Sequence, residues 1–232
     1  MSDNWRTHAR YWSAQYEVHA IDQRNHGKSF HSEAFDYAIL AQDIINYMDA
    51  NAIEKAIVLG HSMGGKTAMT LALQYPNRVA KLIVADIAPK NYDVGGKFSS
   101  IIEGLLHLDT NTFTSRATAD NALSAFVPEM GVRQFLLKNL EWTPQRTLAL
   151  RCNIQVLQHK LAEIGAAPKP GVYTGNTLFL AGRNSDYIFE KDLVQISSFF
   201  PKAKIDWIED AGHWLHAENP KRFTEALHDF LD

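Results

Sequence analysis

Ala56-Ile57-Val58-Leu59-Gly60-His61-Ser62-Met63-Gly64-Gly65 is the stretch that most restricts what this chain can become. Ile57 to Leu59 is a short aliphatic run without alternation, the pattern of a strand covered on both faces in a parallel sheet. Lys66 to Tyr75 then reads as a helix that Pro76 stops. Between them, Gly60-His61-Ser62-Met63-Gly64 has the Gly-x-Ser-x-Gly spacing of a nucleophile elbow, the strained turn that lifts a serine hydroxyl clear of a sheet. A Cβ at Gly60 or Gly64 would crowd that turn, and Gly65 lets the helix approach its neighbours. Met63 would present its N–H at the helix N-terminus, where an oxyanion could be met. An ordinary strand-to-helix turn is the plain alternative, because glycine and serine are common turn residues.

The flanking chain supplies the context an elbow needs. Trp5, Ala9 and Trp12 recur at helical spacing, with Ser2 or Asp3 as N-cap. Tyr16 to Ile21 reads as a strand that runs into the turn-rich Asp22-Gln23-Arg24-Asn25-His26-Gly27-Lys28-Ser29. His26 in that loop is read as a turn histidine. Tyr37, Leu40, Ala41, Ile44, Ile45 and Met48 form one apolar stripe on a helix ending near Asn51. After Pro76, Lys81 to Asp86 is another buried strand, with Asp86 at its carboxyl end. Alternating strands and helices predict a parallel sheet whose sites gather at the carboxyl ends of its strands.

From about 91 to 173 the pattern changes to helix-like segments without a convincing strand, around Ile101 to Leu108, Ala122 to Phe126, Phe135 to Leu137 and Ile154 to Ile164. This predicts a helical cap over 91–173 inserted into a core made of 1–90 and 174–232, with apolar residues that serve packing and, as a lid, a substrate site. Thr177 to Ala181 resumes the sheet, Leu193 to Phe200 is a helix, and Lys204 to Ile208 is a last strand leading to Gly212-His213-Trp214. Asn219 caps a final helix with Pro220 at its first position and Phe223, Ala226, Leu227, Phe230 and Leu231 on its buried face.

Composition removes several function classes. A chain of 232 residues that is 46% hydrophobic and 21% charged can bury one sizeable core. The net charge of −3 is interspersed, which gives no basic patch for nucleic acid. Cys152 is the sole cysteine, so no intramolecular disulfide can form. No apolar run of about 18 residues is present for a membrane span, and Met1 to Arg6 lacks a signal-peptide core, so a cytoplasmic protein is expected. The ten histidines show no His-x-x-x-His spacing, and neither a metal nor a cofactor is expected.

Serine at its ordinary pKa is a weak nucleophile, so acyl transfer asks for a base and for a carboxylate to orient that base. His213 is the candidate base, free to swing on Gly212 beyond a strand end; a surface-loop histidine is its plain alternative. Taken together, Asp22 to Ser29, Gly60 to Gly65, Asp86-Ile87-Ala88-Pro89, Gly182-Arg183-Asn184-Ser185 and Gly212 to Pro220 resemble an α/β-hydrolase, and within that superfamily the YbfF-type bacterial esterases and ABHD11-type hydrolases. The resemblance runs from Ser2 to the C-terminus and is weakest in the cap. It implies hydrolysis of esters or thioesters, with small acyl esters and acyl-coenzyme A as candidate substrates and no cofactor.

Two aspartates compete for the acid. In most α/β-hydrolases the carboxylate follows the strand at Thr177 to Ala181, where this chain has Ser185 and then Asp186. The YbfF-like pattern instead implies Asp86, with Ser185 as an auxiliary hydrogen-bonding group. The resemblance also implies a second oxyanion N–H from a His-Gly loop after an earlier strand. This chain contains neither, so it is expected to lack its N-terminal strands and oxyanion loop. The strands at Tyr16 to Ile21 and Ala56 to Leu59 are then expected to face an empty position, and turnover is expected to be weak. A non-catalytic binding protein on the same fold is the alternative. Haloalkane dehalogenation would need a carboxylate where Ser62 stands.

Overall fold

The computed structural model describes residues 1–95, 97–110 and 112–232. The first half carries α1 (Arg6–Trp12), α2 (Tyr37–Ala50), β1 (Ala56–His61), α3 (Met63–Gln74), β2 (Val79–Ala85), α4 (Lys97–Thr110) and α5 (Arg116–Leu123). The second half carries α6 (Met130–Leu136), β3 (Leu140–Trp142), β4 (Leu148–Leu150), α7 (Ile154–His159), α8 (Leu161–Gly165), β5 (Thr177–Gly182), α9 (Leu193–Phe199), β6 (Ala203–Ile208), α10 (Leu215–Glu218) and α11 (Pro220–Leu231). Contacts divide these elements into two units, one of Met1–Phe35 with Asp93–Gly165, the other of Asp36–Tyr92 with Ala166–Asp232.

The second unit is built on a parallel sheet. Four parallel strands run in the order β1-β2-β5-β6. Its central strands are apolar on both faces: every residue of β5 is buried, and Leu82 to Ala85 of β2 are at most 1% exposed. Leu71, Met69 and Ala72 of α3 meet Val84, Phe179 and Phe200 in this core. Local sequence fixes the helix ends. Asp36 accepts the N–H of Ile39 to cap α2, and Asn219 accepts that of Arg222 ahead of Pro220 to cap α11. Lys81 of β2 donates to the last carbonyls of α11, at Phe230 (2.9 Å) and Leu231 (2.7 Å).

Within this unit β1 departs from the expectation of a strand covered on both faces. Ile57 is 37% exposed and Gly60 is the one buried residue of the strand; among the described residues its ladder partner is β2 alone. An aliphatic run identifies a strand but does not say how fully its faces are covered.

The first unit is mainly helical. Its buried Asn25 sits at φ 63°, donates through Nδ2 to the carbonyl of Ser32 and accepts the Ser32 N–H, so the loop is folded around one amide. Asp22 accepts the N–H groups of Ser2 and Lys28, and His26 Nδ1 donates to the Arg24 carbonyl at 3.0 Å. Burial depresses the His26 pKa to about 4, which keeps the ring neutral and structural.

Three expectations are corrected here. Tyr16 to Ile21 forms no strand: no residue of it enters a ladder, and Tyr16 and Val18 are exposed. β-propensity does not make a strand where no neighbour supplies hydrogen bonds. The N-cap of α1 is Trp5 rather than Ser2 or Asp3, because a 3₁₀ turn at Ser2–Trp5 precedes it and the Ser2 N–H is taken by Asp22. The stretch read as strandless holds the antiparallel hairpin β3–β4, closed by a hydroxyl pair between Thr143 and Thr147 with Arg146 at φ 61°.

Candidate active site

Each strand of the parallel sheet delivers one side chain to the same end. The backbone ladder runs one step past β1 and β2: Ser62 N–H donates to Ala85 O at 3.0 Å, and Asp86 N–H to Leu180 O at 2.8 Å. Ser62 stands at φ 54°, ψ −120°, and Asp86 at φ 50°, so both turns hold a non-glycine residue in the left-handed region. The elbow tolerates this because Gly60 offers no side chain; a Cβ there would lie 2.1 Å from the Gly64 carbonyl oxygen. Met63 opens α3, whose first N–H groups have no partner inside the helix.

The loops after β5 and β6 meet across Gly182. A Cβ on Gly182 would fall 2.2 Å from the Gly212 carbonyl oxygen, so glycine is what lets the His213 loop close over the sheet. The Gly212 N–H is in turn held by the Glu218 carboxylate of α10.

This brings Ser62, His213, Asp86 and Ser185 into one hydrogen-bonded chain. His213 Nε2 lies 3.0 Å from Ser62 Oγ, and its Nδ1 lies 2.8 Å from Asp86 Oδ2. An ionised carboxylate can only accept, so the ring proton sits on Nδ1 and Nε2 is left to accept from the serine hydroxyl. Asp86 also accepts the Ser185 hydroxyl on Oδ2 and the Gly182 N–H on Oδ1 at 3.0 Å. Of the two candidate aspartates, Asp86 meets the imidazole, whereas Asp186 acts on it through its charge.

Asp86 is fully buried, and desolvation pushes its pKa up, opposed by the hydrogen bonds from Ser185 and Gly182. Desolvation likewise pushes His213 below the ordinary imidazole value, opposed by the charges of Asp186 and Glu218. A neutral imidazole between a serine hydroxyl and a buried carboxylate can take the hydroxyl proton during attack on an acyl carbon.

Sequence reasoning missed several residues that shape this site. His61 Nε2 donates to the His213 carbonyl at 2.7 Å, and the Tyr187 ring lies on the imidazole with centroids 3.7 Å apart. His61 sits inside the elbow motif and Tyr187 two residues after Ser185, yet nothing in the spacing says that either faces His213. Four residues behind the nucleophile, Lys66 is 1% exposed and donates through Nζ to the Ala166 carbonyl at 2.6 Å. Burial lowers its pKa to about 7.

Comparison with known proteins agrees with the fold. Residues 1–124 match a family model described as the alpha/beta hydrolase fold. The chain is 39% identical to the sn-1-specific diacylglycerol lipase ABHD11 of Danio rerio over 220 residues, covering 93% of this chain and 69% of that protein. It is 33% identical to the esterase YbfF of Escherichia coli over 233 residues, covering 99% and 88%. Among solved structures, a marine microorganism esterase superposes with a TM-score of 0.94 at 36% identity, over 99% of this chain and 90% of that one.

Proposed function

This chain belongs to the alpha/beta hydrolase fold family, and we propose that it is an ester hydrolase working through an acyl-enzyme on Ser62. Ser62 Oγ attacks the acyl carbon while His213 Nε2 takes the hydroxyl proton, and Asp86 holds the imidazole in the tautomer that allows it. The oxyanion that forms meets the Met63 N–H. The bond to the leaving group breaks as Nε2 returns the proton to the departing alcohol or thiol. Water, activated by the same imidazole, then frees the acid and restores Ser62.

The observation that carries this reading is the unbroken path from Ser62 Oγ through His213 to the buried Asp86. Relatives named as esterases and lipases support carboxylic esters as the substrate class. Acyl thioesters such as acyl-coenzyme A fit the same chemistry, because the imidazole can protonate either leaving group.

A fluorophosphonate probe tests the reading, since it reacts with an activated serine and ignores an ordinary one. Labelling is expected in the native chain and absent in Ser62→Ala and in heat-denatured protein. No labelling of natively folded chain would overturn it in favour of a binding protein. Parallel assays with p-nitrophenyl esters and acyl-coenzyme A separate oxygen from sulfur esters.

A further inference from the structure

Tyr187 has no part in the proton path described above, yet among the described residues its ring is the aromatic ring nearest to His213. The two ring centroids are 3.7 Å apart with planes inclined by 16°, a face-to-face stack. The imidazole also meets the His61 ring at 4.6 Å and 44°, and Trp214 edge-on at 5.1 Å. The two His213 nitrogens must face Asp86 and Ser62 at once, and a ring turned about its Cβ–Cγ bond would lose both contacts.

Tyr187 is itself held at several points. Its N–H donates to Ser185 Oγ at 3.2 Å, and its carbonyl accepts the Tyr92 hydroxyl at 2.7 Å. Tyr92 accepts the Ala88 N–H at 2.8 Å and lies against the Tyr187 ring at 5.5 Å. The Nζ atoms of Lys66 and Lys90 stand over the Tyr92 ring at 4.8 Å and 5.1 Å, and Lys90 is paired with Asp192. The segment from Ala88 to Tyr92 and the loop from Ser185 to Tyr187 therefore brace one another beside the imidazole.

We propose that Tyr187 is a positioning residue for His213, its ring fixing the plane of the imidazole and stabilising the imidazolium that forms when Ser62 gives up its proton. The second effect follows from the negative π face, which attracts a cation within about 6 Å of the ring centroid. The proposal rests on the Ser62–His213–Asp86 reading above.

Tyr187→Leu and Tyr187→Met remove the aromatic face, and Tyr187→Phe keeps it. The charged and titratable groups that act on His213 are Asp86 at Nδ1, Asp186 and Glu218 by charge, and the neighbouring His61. All are retained in these variants. With an ester substrate, both aliphatic variants are expected to lower kcat by about tenfold while KM changes little. The acid limb of kcat/KM should move down by about half a pH unit, because the imidazolium has lost its π partner. Tyr187→Phe is expected to match the parent in both.

The NMR titration of His213 Cε1–H in natively folded protein should show the same shift without relying on turnover. A parent-like kcat and parent-like His213 titration in both aliphatic variants would overturn the proposal, and so would an equal loss in Tyr187→Phe. If Ser62→Ala keeps full activity, the underlying triad reading has failed and the proposal falls with it. A dead Ser62→Ala beside parent-like aliphatic variants sinks the Tyr187 role alone.

Discussion

His213 Nδ1 meets Asp86 Oδ2 at 2.8 Å across 127 residues of chain, while Asp186, which directly follows Ser185, acts on the same ring through its charge. Asp86→Asn is expected to lower kcat/KM by about 10⁴, since an amide no longer selects the productive tautomer. Asp186→Asn should stay active with its acid limb at lower pH. Asp186 raises the His213 pKa, so without its charge the base remains neutral in more acidic solution. A pH–rate profile of both variants checks this, and a dead Asp186→Asn beside an active Asp86→Asn would reverse the assignment.

Ser185→Ala removes a hydroxyl that donates to Asp86 and accepts the Tyr187 N–H. Hydrogen bonds to charged groups contribute about 1.5–3 kcal/mol, so a loss in kcat of about tenfold or more is expected. The Ser185 bond lowers the Asp86 pKa; without it the carboxylate is protonated at higher pH, and the acid limb should move up. A profile identical to the parent's would remove Ser185 from the site.

Gly182→Ala and Gly212→Ala should differ sharply. The first places a Cβ 2.2 Å from the Gly212 carbonyl oxygen; in the second, the nearest atom is a Glu218 carboxylate oxygen at 3.3 Å. Overpacking against fixed backbone costs about 1–3 kcal/mol, which a lower urea midpoint for Gly182→Ala would register together with lost activity. Equal midpoints for the two variants would contradict the close approach.

Lys66 should make stability depend on pH. Burial lowers its pKa to about 7 from 10.5, so between those values the unfolded chain holds a proton that the folded chain lacks. Raising the pH there favours the folded state, by up to about 1.4 kcal/mol per pH unit. Urea unfolding at pH 7 and pH 9 is expected to show this gain in the parent relative to Lys66→Met. An equal change in both would mean that Lys66 keeps its charge.

Local rules made the elbow and the sheet legible. Gly60 and Ser62 declare a turn only glycine can admit, and Asn219 with Pro220 marks the start of α11 within a residue. What local rules missed depends on partners distant in sequence. Tyr16 to Ile21 has strand-forming residues but no ladder neighbour, and the three-residue strands at Leu140 and Leu148 are too short to show a period. The choice between Asp86 and Asp186 turns on how far the loops after β2 and β5 reach toward His213, which spacing along the chain does not encode.

The outermost position of β1 bears on how the site would fail on heating. Because β1 is laddered on one side only among the described residues, about half of its backbone amides lack the protection a central strand enjoys. Hydrogen exchange should therefore open β1 ahead of β2 and β5. Ser62 hangs directly from that strand, whereas Asp86 follows the doubly laddered β2. His213 follows β6, which like β1 is laddered on one side only, so the serine and the imidazole would both loosen before the carboxylate, and heat inactivation would precede the loss of the fold.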